Sequence, residues 1–408
     1  MYIRIAVAAL AWSSAATAAP LTYAQALDLA RDTAPSLVGK ALGTIAARSA
    51  ARSAGALPDP KLEFGFTGFP VSGPNAGHPE RDDFSTVRIG IEQDIPNRAK
   101  RTARTGRAEA DIAASDAAKL AETRTVKLSA ALAWIDLYFA ARKLTAIDAV
   151  RASVAPLVST IPVRLASGSA RPAQTTEPAQ MIAAFDDRRA ELVADAAKAR
   201  AMLMRWTGDP APVVAGPPPT TTIDALALRA GLGRLPEVRI ADAAAGQADA
   251  DARLARAEKH PDWSWQVGYD RRDPRFGDML GASVKVSLPL FAKNRQDPLI
   301  LARDLDALRA RLDVQATARE LVAAFEADLA DHALHRERLE RARATLLPLA
   351  ERRSTLETAS YGVGTSGLAD ALAARIAVAE ARLELLTREA AVVRDAVRIN
   401  LTYGSDAQ

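Results

Sequence analysis

The chain has no cysteine among its 408 residues. That excludes disulfides, thiolate metal ligands, cysteine nucleophiles and an N-terminal cysteine carrying a lipid anchor. It also lacks an excess of one charge: 53 Lys and Arg face 49 Asp and Glu, and the two signs are interleaved. A net charge of +4 spread in this way builds no basic patch, and no nucleic-acid partner is expected. Beyond the N-terminus there is no apolar run of about 20 residues, so no transmembrane helix is expected. Such a chain meets a bilayer through strands or only at its surface. No Gly-rich phosphate loop follows a strand, and no nucleophile elbow or HExxH is present. The chain therefore reads as a non-enzyme without a cofactor. Histidines are few: His78, His260, His332 and His335. His332 and His335 share a helical face with Asp328 and Asp331 nearby, a spacing that suits a metal but equally an exposed charged face. No metal site is assigned.

Aromatics make up only 5% of the chain, while alanine and arginine recur throughout. Small side chains let helix axes approach, so this composition favours long helices in close contact. At the N-terminus, Arg4 precedes the apolar run Ile5 to Trp12, and Ala16-Thr17-Ala18 fits the small-x-small cleavage rule. Residues 1–18 are thus expected to be a cleaved signal peptide, with export to the periplasm or beyond.

The remainder repeats itself. Pro58 to Phe66 aligns without gaps to Pro261 to Tyr269, and Pro35 pairs with Pro236. Gly168 lies 40 residues before Gly208, as Gly364 lies 40 before Gly404, and the offset between halves stays within 195 to 203 residues. The chain divides into a first repeat (19–209), a Pro-rich linker (210–222), a second repeat (223–404) and a tail (405–408). Each repeat reads as an opening helix with Thr22 or Thr222 as candidate cap, a second helix, two strands, a long helix, a Gly-containing turn and a returning helix.

Period-two alternation predicts strands near 61–69, 85–93, 262–270 and 281–289. Phe64, Phe66, Val87, Ile89, Trp263, Trp265, Val284 and Val286 fall on an apolar face, expected to meet lipid. Arg88, Glu92, Gln266 and Lys285 fall on the wet face, expected to line a lumen. Four strands cannot close a membrane barrel, and open edges cannot stay unpaired in lipid, so spanning requires several copies. Three copies give twelve strands. In the helices, Leu128, Leu132, Ile135 and Phe139 are spaced 4-3-4, Ile147, Val150, Val154 and Leu157 are spaced 3-4-3, and Leu301, Leu305, Leu308 and Leu312 are spaced 4-3-4. This is coiled-coil seam spacing. The 60 residues from Arg98 to Leu157 would extend roughly 90 Å as one helix, longer than a compact core needs.

With these residues in place the chain resembles the TolC-like outer membrane factors, nearest the heavy-metal branch typified by CzcC and CusC. The resemblance rests on Leu21 to Leu27, Pro58-Asp59-Pro60, Glu92 to Arg98, Pro261-Asp262-Trp263, Val286 to Phe291 and Tyr361 to Asp370. It implies a mainly α fold with a small β part, trimerised into a twelve-stranded outer-membrane β-barrel and a periplasmic α-helical barrel. It implies a channel that passes substrate, metal cations in this branch, from an inner-membrane pump of the resistance-nodulation-division type through a periplasmic adaptor. It places adaptor docking at two turns, Arg164, Ser167, Gly168 and Ser169 in the first repeat and Gly362, Gly364, Thr365 and Ser366 in the second. Tyr361 and Asp370 fall on aperture positions. Ser366 and Ala373 depart from the arginine and second acid of some members, which implies a different closing network. The competing reading is a periplasmic coiled-coil scaffold or adaptor that never spans the membrane.

Overall fold

The computed structural model describes residues 20–166 and 176–404. The expected signal peptide, residues 405–408, Ser167, Gly168 and Ser169 lie outside the described residues, as does the side chain of Arg164. The helices are α1 (Tyr23–Thr33), α2 (Pro35–Ala51), α3 (Arg98–Val158), α4 (Thr160–Ala166), α5 (Thr176–Thr207), α6 (Ala225–Gly231), α7 (Pro236–Ala257), α8 (Gln296–Arg341), α9 (Leu347–Gly362) and α10 (Leu368–Tyr403). The strands are β1 (Lys61–Thr67), β2 (Thr86–Ile95), β3 (Asp262–Arg271) and β4 (Met279–Ser287), close to the four expected segments. They form one antiparallel sheet in the order β1-β2-β3-β4, so the hairpin of each repeat lies side by side with the other. Among the described residues no helix is long and apolar enough to cross a membrane.

The chain forms two compact units, each taking segments from both repeats. One holds residues up to Pro35, Thr123–Leu232 and Val322 onward. Its core is built around Trp134, which is fully buried with Leu203, Ile135 and Phe139. The Trp134 indole N–H donates to the Leu21 carbonyl at 2.9 Å and its ring stacks on Tyr138 at 5.2 Å. The buried N–H therefore keeps the partner that its desolvation demands. The seam residues Ile147, Val150 and Val154 are buried here against α5 and α10 side chains, while Leu157 is only partly so. The other unit holds Ser36–Glu122 and Gly233–Leu321. Its helix contacts rest on alanine: Ala103 and Ala117 of α3 and Ala243, Ala250 and Ala255 of α7 are buried. In this unit Leu301, Leu305, Leu308 and Leu312 of α8 and Val38, Leu42 and Ile45 of α2 are 51–62% exposed in the single chain.

Helix ends follow local chemistry. Thr22 caps α1 in a reciprocal box with Gln25. The expected Thr222 cap is displaced: α6 starts at Ala225, and Asp224 accepts the Ala227 N–H at 3.0 Å. A carboxylate two residues on is simply the better N-cap acceptor. The long helix of the second repeat is not continuous. A five-residue π turn, Ala342–Leu346, separates α8 from α9 just before Pro348. Proline withholds an N–H and crowds the preceding turn, so the helix widens there rather than running straight. Pro156 occupies the corresponding end of α3, which stops at Val158.

The histidine reading needs correction. His332 is 6% exposed and His335 Nδ1 lies 2.5 Å from Asp395 Oδ2, so neither stands on an exposed charged face. α10 packs against this side of α8, and Arg398 of α10 pairs with Asp328. Among the described residues no cluster is grouped to hold a metal ion.

Candidate membrane-facing sheet and helix turn

Register decides which side chains share a face, because residues opposite one another in a ladder project to the same side. Phe64 stands opposite Ile89, and Ile89 opposite Tyr269; Phe66 stands opposite Val87. Ile95, Trp263 and Val286 form one row across β2, β3 and β4, and Gln93, Trp265 and Val284 the next. All eight residues assigned to the apolar face therefore lie on one side of the sheet, where they are 38–77% exposed. Leu62, Ile91, Val267 and Leu280 extend the same surface. This face is exposed in the single chain.

The opposite face is wet. Arg88 grips Asp270 through Nε at 2.7 Å and Nη2 at 2.9 Å, a bidentate pair that fixes the planar guanidinium. Lys285 reaches Glu92 across β3 at 3.0 Å, and Lys61 reaches Asp94 at 2.6 Å. Gln266 donates to Glu63. Arg88, Glu92, Gln266 and Lys285 thus share the face assigned to them. Sequence reasoning missed the glycines that make room on this side. Gly90, Gly268 and Gly281 fall in one row with Glu63. A Cβ on Gly268 would stand 3.7 Å from the Arg88 guanidinium, and one on Gly90 would meet the Val267 carbonyl at 3.1 Å. The signal was available: in each of the four strands a glycine sits at an even step from a charged residue.

Where the strands give way to helix, Asn97 ties the two hairpins together. Its backbone N–H and side-chain amide both donate to Asp262 Oδ1 at 2.8 Å, and Lys100 pairs with Asp262 Oδ2. The lysine and the two donated N–H groups thus satisfy the Asp262 carboxylate where the strands meet the helix.

The second helix turn is built from backbone. Gly364 adopts φ +82°, a conformation that glycine enters without strain. The chain then folds back so that Thr365 N–H donates to the Ser360 carbonyl at 2.9 Å and Ser366 Oγ reaches Glu357 at 3.0 Å. A Cβ on Gly362 or Gly364 would meet nothing within 4 Å, so both open onto free space. Thr365 is exposed, and Ser366 is half-buried. Asp370 is exposed in the first turn of α10 and accepts the Gly367 N–H at 3.1 Å, so it caps its own helix. Tyr361 is half-buried, its hydroxyl 3.3 Å from Thr160 Oγ1 on α4. Arg375 donates to the Ser153 carbonyl of α3 at 3.2 Å. Tyr361 and Arg375 thus tie the turn and α10 to α4 and α3, and neither contact involves Asp370. Thr160 and Arg375 were not singled out in the sequence, because nothing local marks a residue whose role is a contact across the fold. Of the first turn, only Arg164 falls within a described helix, α4.

Residues 228–405 match the family model described as "Outer membrane efflux protein". No curated protein matches the chain. Among solved structures, it is similar to a membrane protein from Pseudomonas aeruginosa, with a TM-score of 0.81 and 17% identity over 94% of this chain and 90% of that one. It is similar to CusC, whose structures are described in terms of transmembrane channel formation, with a TM-score of 0.77 and 15% identity over 94% and 92%. It is also similar to the outer membrane protein VceC of Vibrio cholerae, with a TM-score of 0.75 and 18% identity over 94% and 96%. At these identities the likeness is one of fold, and CusC is no nearer in sequence than the others. The chain thus carries the fold of these three proteins along nearly its whole length, and its second half matches the outer membrane efflux protein family.

Proposed function

We propose that the chain is the outer-membrane channel subunit of a tripartite efflux system, acting as a homotrimer with a periplasmic adaptor and an inner-membrane pump of the resistance-nodulation-division type. The observation that carries this reading is a four-stranded sheet with one exposed apolar face, one charged face and two strands, β1 and β4, at its open edges. In water such a face and such edges are a liability. In a bilayer the apolar face is satisfied by lipid, and the edges are satisfied only by closing a ring. Three copies supply twelve strands, with Arg88, Glu92, Gln266 and Lys285 around the lumen. Export by a cleaved signal peptide and residence in the outer membrane with a periplasmic helical extension belong to the same reading. So do adaptor docking at the two turns and an aperture at Tyr361 and Asp370. Metal cations as cargo rest on the resemblance of the motifs alone.

The test is the state of the purified full-length protein. The channel reading expects extraction only with detergent and a heat-modifiable trimer. Gly364→Trp, which adds bulk into open space, should cut adaptor crosslinking and leave the trimer intact. A protein released without detergent as a monomer, or as a rod-like dimer, would favour the scaffold reading and overturn this one.

A further inference from the structure

The two ends of the sheet differ in how their charges are used. At the hairpin tips, Arg272 and Arg275 are spent on the two hairpin loops. Arg272 donates to the carbonyls of Phe276 and Gly277, and Arg275 pairs with Asp273 and donates to the Glu80 carbonyl. At the end where β2 and β4 lead into helix, four exposed cations, Arg52, Arg98, Lys293 and Arg295, make no ion pair among the described residues. The acids Asp94, Asp262 and Asp297 here are already held by Lys61, Lys100 and Lys259. Among the described residues, Asp59 and Glu258 are the acids left unpaired against the four, so this end keeps a surplus of positive charge. The same end carries apolar bulk. The row Ile95–Trp263–Val286 closes the apolar face, and the chain continues through Leu288, Leu290 and Phe291, 62–76% exposed, directly into Lys293 and Arg295.

We propose that this strand–helix junction binds anionic phospholipid headgroups, with Leu288, Leu290 and Phe291 in the acyl boundary and Lys293, Arg295 and Arg98 on the phosphates. The inference rests on the reading that the apolar face of the sheet meets lipid. An apolar-to-basic step of a few residues matches the depth over which a leaflet changes from hydrocarbon to phosphate. Cations that have no protein partner are the ones free to take a lipid phosphate, and each gains most where the headgroup carries net negative charge. The ligand is a lipid and not free phosphate, because the apolar segment has no role toward an inorganic ion.

The test uses the detergent-solubilised full-length assembly and native mass spectrometry with added phosphatidylglycerol or phosphatidylcholine of identical chains. The parent should retain phosphatidylglycerol in preference. Lys293→Gln with Arg295→Gln should weaken that preference about 25-fold, at about fivefold per cation removed. Lys285→Gln, on the wet face of the same sheet, should leave it unchanged. Equal retention of the two lipids by the parent overturns the proposal, as does an unchanged preference in the double variant. Loss of the preference to inorganic phosphate at matched ionic strength overturns it as well, since the ligand would then be the bare ion. These outcomes are read only on protein that needs detergent to stay in solution. A chain soluble without it sinks the channel reading itself, which separates the two failures. The double variant must also keep the parent's oligomer mass; if it does not, Leu290→Ser with Phe291→Ser supplies the arm, where lower retention of both lipids supports the junction and unchanged retention removes it.

Discussion

Single residues set how this fold responds to pH and, under the channel reading, how a trimer would conduct. His332 is buried between α8 and α10, and its Nδ1 has no hydrogen-bond partner among the described residues. Burial holds its pKa below the ordinary 6.5, with the Asp395 carboxylate pulling the other way and Arg336 and His335 adding to the depression. The neutral ring is therefore the folded form. As pH falls below 6.5, the unfolded chain takes up a proton that the folded chain does not, and stability drops until the folded pKa is crossed. For one site this is worth at most about 1.4 kcal/mol per pH unit. Thermal unfolding between pH 7.5 and 5 should show an acid-side loss of stability that His332→Leu reduces; an unchanged acid limb would assign the loss to other groups. Asp370 acts through charge rather than through burial. In one chain it is an N-terminal cap, and Asp370→Asn keeps an acceptor for the Gly367 N–H, so the fold should lose less than about 1 kcal/mol. In a trimer with three copies at the inner end, the same change removes three charges. Cation selectivity and block by multivalent cations in planar bilayers should both weaken, and with alanine at 373 there is no second carboxylate ring to mask the loss. Parent-like conductance properties would leave Asp370 as a cap and nothing more.

Strands and helices were legible in the sequence to different degrees. A strand with one wet and one apolar face writes its period directly into the chain, and Trp263, Trp265, Val284 and Val286 fell where the alternation put them. The consequence is a paired prediction. Val286→Arg places a charge on the apolar face at a cost of roughly 2–4 kcal/mol near mid-bilayer and less toward the interface. Lys285→Ala removes only an exposed pair with Glu92, worth little. Yield of assembled oligomer in membranes should fall for the first and not the second; equal yields would mean that the two faces see the same medium. Helices were harder to read. Ile147–Val154 and Leu301–Leu312 both carry alternating three- and four-residue seam steps, yet the first is covered by α5 and α10 and the second is open in the single chain. Spacing gives a stripe but not what covers it. The break at Ala342–Leu346 was hidden because each repeat reads as a single long helix before its turn, and a proline such as Pro348 can be carried in a first turn without a break. The burial of His332 was unreadable for a related reason: its neighbour on α10 is about 60 residues away in sequence, as the His335–Asp395 separation shows.

At the scale of the whole molecule, the question is what satisfies the two sheet edges. β1 and β4 are the outer strands, with β2 and β3 between them. At about 4.8 Å per strand spacing they lie roughly 14 Å apart within one chain. A disulfide requires Cα atoms within about 7 Å, so cysteines on β1 and β4 of the same chain cannot meet. The absence of native cysteine makes the experiment clean. Gly65→Cys on β1, combined in turn with Met279→Cys, Gly281→Cys or Ser283→Cys on β4, samples registers of the same wet face, since alternate residues share a side. If edges of neighbouring copies pair, one of these combinations should crosslink under mild oxidation, and only between chains. The size of the product then distinguishes closure from chain growth. A closed ring of three gives dimer and trimer and stops, because the third bond uses the last free edge. An open edge-to-edge array gives a ladder that continues past trimer, the signature of heterologous contacts that do not close. Monomer alone in all three combinations, from protein that remains in the membrane, would mean that the β1 and β4 edges are covered by something other than each other, and the twelve-strand reading would fall with them.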